Sequence, residues 1–119
     1  MRYTLTGKVT PKARPRFGGG RAYLPQKYRD WKDNAIVELL SQSGQTGQIM
    51  RAEISIDLFG AHRGDLDNLA GSVLDALVQS GILLDDRLSV VSKLSIAHHT
   101  SRTPSCAIDI VELSRTNVK

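Results

Sequence analysis

Apolar and polar positions alternate from Arg2 to Val9: Tyr3, Leu5 and Val9 fall on one side, Arg2, Thr4, Thr6 and Lys8 on the other. That two-residue period predicts a strand with one buried face. The period stops at Thr10-Pro-Lys-Ala-Arg-Pro-Arg-Phe-Gly-Gly-Gly-Arg21, whose Pro, Gly and Arg content predicts an exposed loop over residues 10–21. Ala22–Leu24 suits a short strand. Pro25 suits the first turn of a helix, and Tyr28, Trp31, Ala35, Ile36, Leu39 and Leu40 repeat at helical spacing to about Ser41. Residues 43–50, with Gly44 and Gly47, read as a turn-rich connection. Ile54, Ile56 and Leu58 are the inward side of a second strand. Leu66, Leu69, Val73, Leu74 and Leu77 mark a second amphipathic helix, with Asp67 or Asn68 as N-cap and Gly81 as its stop. Leu88, Val90, Leu94 and Ile96 alternate as a third strand. Ala107–Leu113, apolar except at Asp109 and Glu112, is the last, and Asn117–Lys119 reads as a frayed tail. The order is β, loop, α, β, α, β, β: one α/β domain over residues 1–119, with two helices on a mixed β-sheet.

Charge changes this picture. The 119-residue chain carries a net +4 and has a pI near 9.5, which favours anionic partners. From Lys8 to Lys32 there are eight Lys or Arg against Asp30 alone. The single Cys106 excludes an internal disulfide and fits a reducing compartment. No apolar run approaches a membrane span and the polar start does not read as a signal peptide, so a soluble, cytoplasmic protein is expected.

The candidate chemistry lies in residues 63–86. Arg63-Gly-Asp-Leu-Asp-Asn-Leu69, then Asp75-Ala-Leu77, then Gly81-Ile-Leu-Leu-Asp85-Asp86 gather acidic residues at both ends of one helix in an otherwise basic chain. Asp65 and Asp67, one residue apart, project to one side of an extended backbone. Like charges held that close repel, so a fold that gathers them usually supplies a cation, and oxygen-only ligands select a hard ion such as Mg²⁺. Taken alone, Asp67 reads as a helix cap, Asp65 as a loop residue and Asp85-Asp86 as a turn. Asp75, facing away from the apolar stripe, reads as a solvated helix residue. The three histidines, His62, His98 and His99, read as surface residues and Cys106 as core.

The acidic run resembles that of the RusA family of Holliday junction resolvases. Thr10-Pro-Lys-Ala-Arg-Pro-Arg-Phe17 is similar to that family's N-terminal basic loop, and the likeness covers roughly residues 1–113. It implies a small α/β fold, an intimate homodimer and Mg²⁺-dependent (or Mn²⁺-dependent) cleavage of four-way DNA junctions by paired symmetric cuts. Duplex DNA is a weaker partner. Carried over, Asp65, Asp67 and Asp86 match the metal-binding catalytic aspartates, and Asp85, the neighbouring acidic position, is the fourth expected metal ligand. Lys12, Arg14, Arg16, Arg21, Lys27, Arg63 and Asn68 are the expected DNA contacts, and Phe17 and Tyr23 can stack on exposed bases or belong to a small core.

One position departs from the resemblance. Family members commonly carry a lysine four residues after the second aspartate, where this chain has Gly71. Lys12, Arg14 or Lys93 are alternative sources of that charge. The competing readings are a phage-type DNA-binding accessory protein that keeps the fold without catalysis, and an RNA-binding protein whose aspartates only cap.

The helix length sets a further expectation. A helix of about 13 residues is about 20 Å long, and Ile82–Leu84 returns about 10 Å at most. Asp86 therefore does not reach Asp67 of its own chain directly unless the helix is shorter or bends, and pairing across a dimer is the simplest alternative.

Overall fold

The computed structural model describes residues 1–12, 16–44 and 47–113. The elements are β1 (Arg2–Thr6), β2 (Arg16–Gly18), β3 (Arg21–Tyr23), α1 (Gln26–Gln42), β4 (Ala52–Phe59), α2 (Leu66–Gln79), β5 (Val91–His99) and β6 (Ser105–Glu112). Four strands form a mixed sheet in the order β1-β6-β4-β5. β6 is antiparallel to both neighbours, whereas β4 and β5 run parallel, joined through α2.

Register explains which face is buried. Tyr3 pairs with Ile108, Leu5 with Cys106, Ile56 with Ile108 and Ile54 with Ile110, so one face is a continuous apolar layer. Leu69, Val73, Ala76 and Leu77 of α2 and Ala35 and Leu39 of α1 cover it in a single core. Glu53, Ser55 and Asp57 alternate onto the opposite face. The expected α/β class, with a mixed sheet and two helices in one small domain, is the class observed. None of the described helices is long and apolar enough to cross a membrane.

Residues 16–23 do not remain a loop. β2 and β3 form a hairpin, Phe17 opposite Ala22, closed by Gly19 and Gly20 at φ 58 and 77. Both central residues of this two-residue turn need positive φ, the condition Gly-Gly meets without a Cβ penalty. Phe17 and Tyr23 are exposed on it, 82% and 48%, so neither is core.

The third strand also shifts. β5 starts at Val91, because Val90 and Val91 both donate their N–H groups to the Arg87 carbonyl and fold 87–90 into a turn. Leu88 is consequently solvent-exposed. The tail at 117–119 and Arg14 lie outside the described residues.

The two sheet edges differ. On β1, Thr4 N–H donates to Gln42 Oε1 at 2.8 Å, Gln42 Nε2 donates to the Thr4 carbonyl at 2.8 Å, and Thr6 N–H donates to Glu38. Side chains of α1 thus close that edge. Among the described residues no such side-chain cover lies along β5, whose Leu94 is 42% exposed on the helix-covered side of the sheet.

Candidate metal and nucleic-acid site

Helix α2 separates the acidic residues into two groups. At its start Asp65 is the N-cap, with φ −89 and ψ 153, and Leu69 N–H donates to the Asp65 carbonyl at 3.0 Å. The cap is therefore Asp65, not Asp67 or Asn68: the chain turns at Gly64, φ 108, so helical bonding begins immediately after it. Yet the Asp65 carboxylate makes no capping hydrogen bond. Asp67 lies in the first turn. Both are exposed, and neither carboxylate has a partner among the described residues. Two repelling carboxylates left uncommitted at a helix start are better suited to holding a hard cation than to capping.

The second group sits at the other end of the helix. Ile49 N–H donates to the Ile82 carbonyl at 2.8 Å and Leu84 N–H to the Ile49 carbonyl at 3.0 Å. These bonds pin residues 82–84 beside the start of β4, whereas Asp65 follows its end. Asp85 is engaged, accepting from Asp86 N–H at 2.7 Å and Arg87 Nη1 at 3.1 Å. Asp86 is exposed, and its carboxylate has no partner among the described residues. The 14 residues of α2 span about 21 Å at 1.5 Å per residue. Among the described residues of one chain, no three His, Cys, Asp or Glu side chains gather as a metal site.

A strap formed by residues 9–12 crosses the start of α2. His62 Nδ1 accepts from Val9 N–H at 3.1 Å, which leaves its Nε2–H to face the carbonyls of Phe59 (3.0 Å) and Ser105 (3.2 Å). His62 is thus a half-buried structural residue joining strap, β4 and β6, not a surface one. Buried Ser72 Oγ donates to the Thr10 carbonyl at 2.6 Å. Pro11 lies so close to Gly64 that a Cβ there would come within 2.9 Å of the proline ring. Lys12 lies across Gly71: a Cβ on residue 71 would be 3.5 Å from Lys12 Cδ. Lys12 was a candidate source of charge at Gly71 from the sequence, but the contacts of His62, Ser72 and Gly64 that hold the strap join residues far apart in sequence and have no local signal.

Of the other expected DNA contacts, Arg63 and Asn68 flank the paired carboxylates and are exposed, and Lys27 is exposed on the first turn of α1. In the hairpin register Arg16 is opposite Tyr23 and Arg21 is opposite Gly18; their side chains are not among the described ones. Lys93 is in register with Glu53, on the sheet face away from α2, which removes it as a source of charge at Gly71.

Asp75 is not solvated: it accepts from Tyr28 Oη at 2.8 Å and Lys32 Nζ at 3.2 Å, tying α2 to α1. Burial, then the Asp75 contact, pushes the Tyr28 hydroxyl well above its ordinary range. His98 and His99 are exposed, as expected, with His99 paired to Asp57 at 2.8 Å. Cys106 is core, and burial followed by the charge of Asp57 pushes its thiol up to about 12.

The fold is thus a small mixed sheet with two exposed carboxylates, Asp65 and Asp67, at the start of α2 and Lys12 lying against the same helix. The profile of the family described as Endodeoxyribonuclease RusA matches residues 6–111, and the chain belongs to that family. It is also 30% identical over 74 residues to a protein of Aquifex aeolicus (strain VF5) named "Crossover junction endodeoxyribonuclease RusA". That alignment covers 59% of this chain and 57% of the relative, so the match spans little more than half of either protein.

Proposed function

We propose that this chain is one subunit of a Mg²⁺-dependent endonuclease that cuts four-way DNA junctions by paired symmetric incisions, with Mn²⁺ as an alternative ion. The observation that carries the reading is the pair of free carboxylates, Asp65 and Asp67, at the start of α2, with Asp86 equally free at the opposite end. Asp65, Asp67 and Asp86 are the proposed ligands, and Asp85 supports Asp86 through its N–H. When bound, the ion lowers the pKa of a coordinated water and offsets charge on the phosphate.

Two copies complete the site. β5 is an unprotected edge that runs from the Asp86 end of the molecule to the Asp65 end, where Gly60 N–H donates to the His99 carbonyl at 2.9 Å. A second copy added antiparallel across β5 by a two-fold axis would extend the sheet, as edge strands readily do. Its Asp86 would then stand beside this chain's Asp65 and Asp67, twice over, giving two equivalent sites. Two sites related by a two-fold match a substrate that must be cut twice. Arg63, Asn68, Lys12 and the Arg16–Tyr23 hairpin supply phosphate contacts, and exposed Phe17 and Tyr23 offer faces for unpaired bases at a junction centre.

Gly71 favours a second reading, in which the protein binds branched DNA without cutting it. Incubation with end-labelled four-way and duplex DNA, with and without Mg²⁺, separates the two. The nuclease reading expects paired nicks on the four-way substrate only when the ion is present. Efficient cutting of plain duplex points instead to a general nuclease, and tight binding without cleavage establishes the second reading.

A further inference from the structure

Segment 9–12 is held by backbone and side-chain contacts at every residue, which is unusual for a stretch whose tip is a lysine exposed to solvent. Val9 is tied to His62, Thr10 to Ser72, and Pro11 is seated on Gly64. Lys12 then runs across the helix at Gly71, its Cβ and Cδ 4.0 and 3.5 Å from where a residue-71 Cβ would stand. Gly71 is four residues after Asp67, on the same helix face, where Cβ positions are about 5–6 Å apart. Lys12 is solvent-exposed, and from a stem lying on Gly71 its ammonium is within a side chain's reach of the helix turn that carries Asp67. Among the described residues it has no ion-pair or hydrogen-bond partner.

A glycine in the middle of a helix costs about 1 kcal/mol relative to alanine. Here its bare surface gives the lysine stem a bed, and a long side chain at 71 would take the same space. A surface lysine with no function needs neither the bed nor the four-point strap.

We propose that Lys12, seated over Gly71, is the cation that grips the scissile phosphate at the Asp65–Asp67 end of α2. The proposal rests on the nuclease reading and adds to it a catalytic residue supplied by the strap, with Gly71 as the residue that admits it. An ammonium there neutralises charge that develops on the phosphate as water attacks, an effect worth about 10²–10³-fold in rate for one well-placed donor or cation. It also predicts that charge at this point can be delivered equally well from position 71.

The test compares wild type with Lys12→Ala, Gly71→Lys and the double variant carrying both changes. Two readouts are taken: single-turnover junction cleavage with Mg²⁺, and junction binding against salt in metal-free buffer. Lys12→Ala should cut about 10²-fold more slowly and lose about one unit per site from the slope of log affinity against log salt. The double variant should recover both, because Gly71→Lys places an ammonium where that of Lys12 was.

The proposal is overturned if Lys12→Ala cuts at the wild-type rate. It is equally overturned if the double variant, folded by circular dichroism, stays as slow as Lys12→Ala. A wild-type chain that cuts no junction removes the nuclease reading itself, and the salt slope then still decides whether Lys12 holds a phosphate.

Discussion

The shared site can be tested by complementation between two inactive chains. Asp67→Asn removes a ligand from the start of α2, and Asp86→Asn removes one beyond its end. A carboxylate reaches an ion over about 2.1 Å, so co-ligands must come within a few ångströms of one another. The 14 residues of α2 hold its two ends about 21 Å apart, and the 82–84 segment is pinned at the start of β4 rather than returning along the helix. If each site combines Asp65 and Asp67 of one chain with Asp86 of the other, a mixed dimer has one site with both substitutions and one fully intact. If each site belonged to a single chain, both sites of the mixed dimer would be damaged. Random exchange at equal concentrations gives about half mixed dimers in a two-fold assembly, and so about a quarter of the wild-type complement of sites.

The assay is cleavage of a supercoiled plasmid that extrudes a cruciform. Either variant alone should be inactive. The mixture should yield nicked circles and few linear molecules, since one intact site cuts only one strand. A mixture that stays inactive, although mass spectrometry shows mixed dimers, would refute the shared site.

Three further outcomes follow from particular contacts. Tyr28→Phe removes a hydrogen bond to a partly buried carboxylate that keeps Lys32, so chemical denaturation should show a loss of about 1.5–2 kcal/mol; no loss would mean that the Tyr28–Asp75 bond is not maintained in solution. Because folding raises the Cys106 thiol from its ordinary value to about 12, the folded state retains a proton that the unfolded chain releases. Stability from this group is complete at neutral pH and is lost as pH rises from about 8.5 towards 12, by at most about 1.4 kcal/mol per pH unit; Cys106→Ala should flatten that decline in pH-resolved melts. Asp67→Asn gives up a dipole interaction of about 0.3–1 kcal/mol but relieves repulsion with Asp65. Its metal-free melting temperature should therefore stay near that of wild type while the rise on adding Mg²⁺ shrinks, and normal cleavage would reduce Asp67 to a structural residue.

What the sequence disclosed depended on how local the causes were. Tyr3 and Leu5, Ile54 to Leu58, and Leu69 to Leu77 bury one face each, and their spacing alone identified strands and helices correctly. The Arg16–Tyr23 hairpin was missed because each strand has only three residues, too few to show a period; its signal was Gly19-Gly20 between Phe17 and Tyr23. The N-cap was misplaced because Asp65 and Asp67 are chemically identical, and the choice between them depends on the backbone at Gly64. Asp75 and His62 were misjudged because their partners come from other elements: Tyr28 and Lys32 for one, Val9 and Ser105 for the other. The separation of the two acidic groups by α2 was legible from helix length. The strap was not, since nothing around Lys12 in sequence indicates that Gly71 lies beneath it.

The division of the carboxylates has a thermodynamic consequence that ties the protected and open sheet edges to the chemistry. On the proposed ligand set a single chain would offer an ion two carboxylates at one end of α2 and one at the other, and a separate subunit would hold Mg²⁺ weakly. If association across β5 brings the third ligand, assembly tightens ion binding, and by linkage the ion tightens assembly by the same factor. Closing β1 with Gln42 and Glu38 then directs association to β5, where pairing builds a site, and away from an edge where it would build none. Mg²⁺ should accordingly lower the dissociation constant of the dimer in sedimentation experiments, and Asp86→Asn should abolish that dependence while leaving the metal-free constant unchanged or slightly lower. A dimer equally stable with and without the ion, in a protein that cuts junctions only when the ion is present, would separate assembly from metal binding and place all three ligands within one chain.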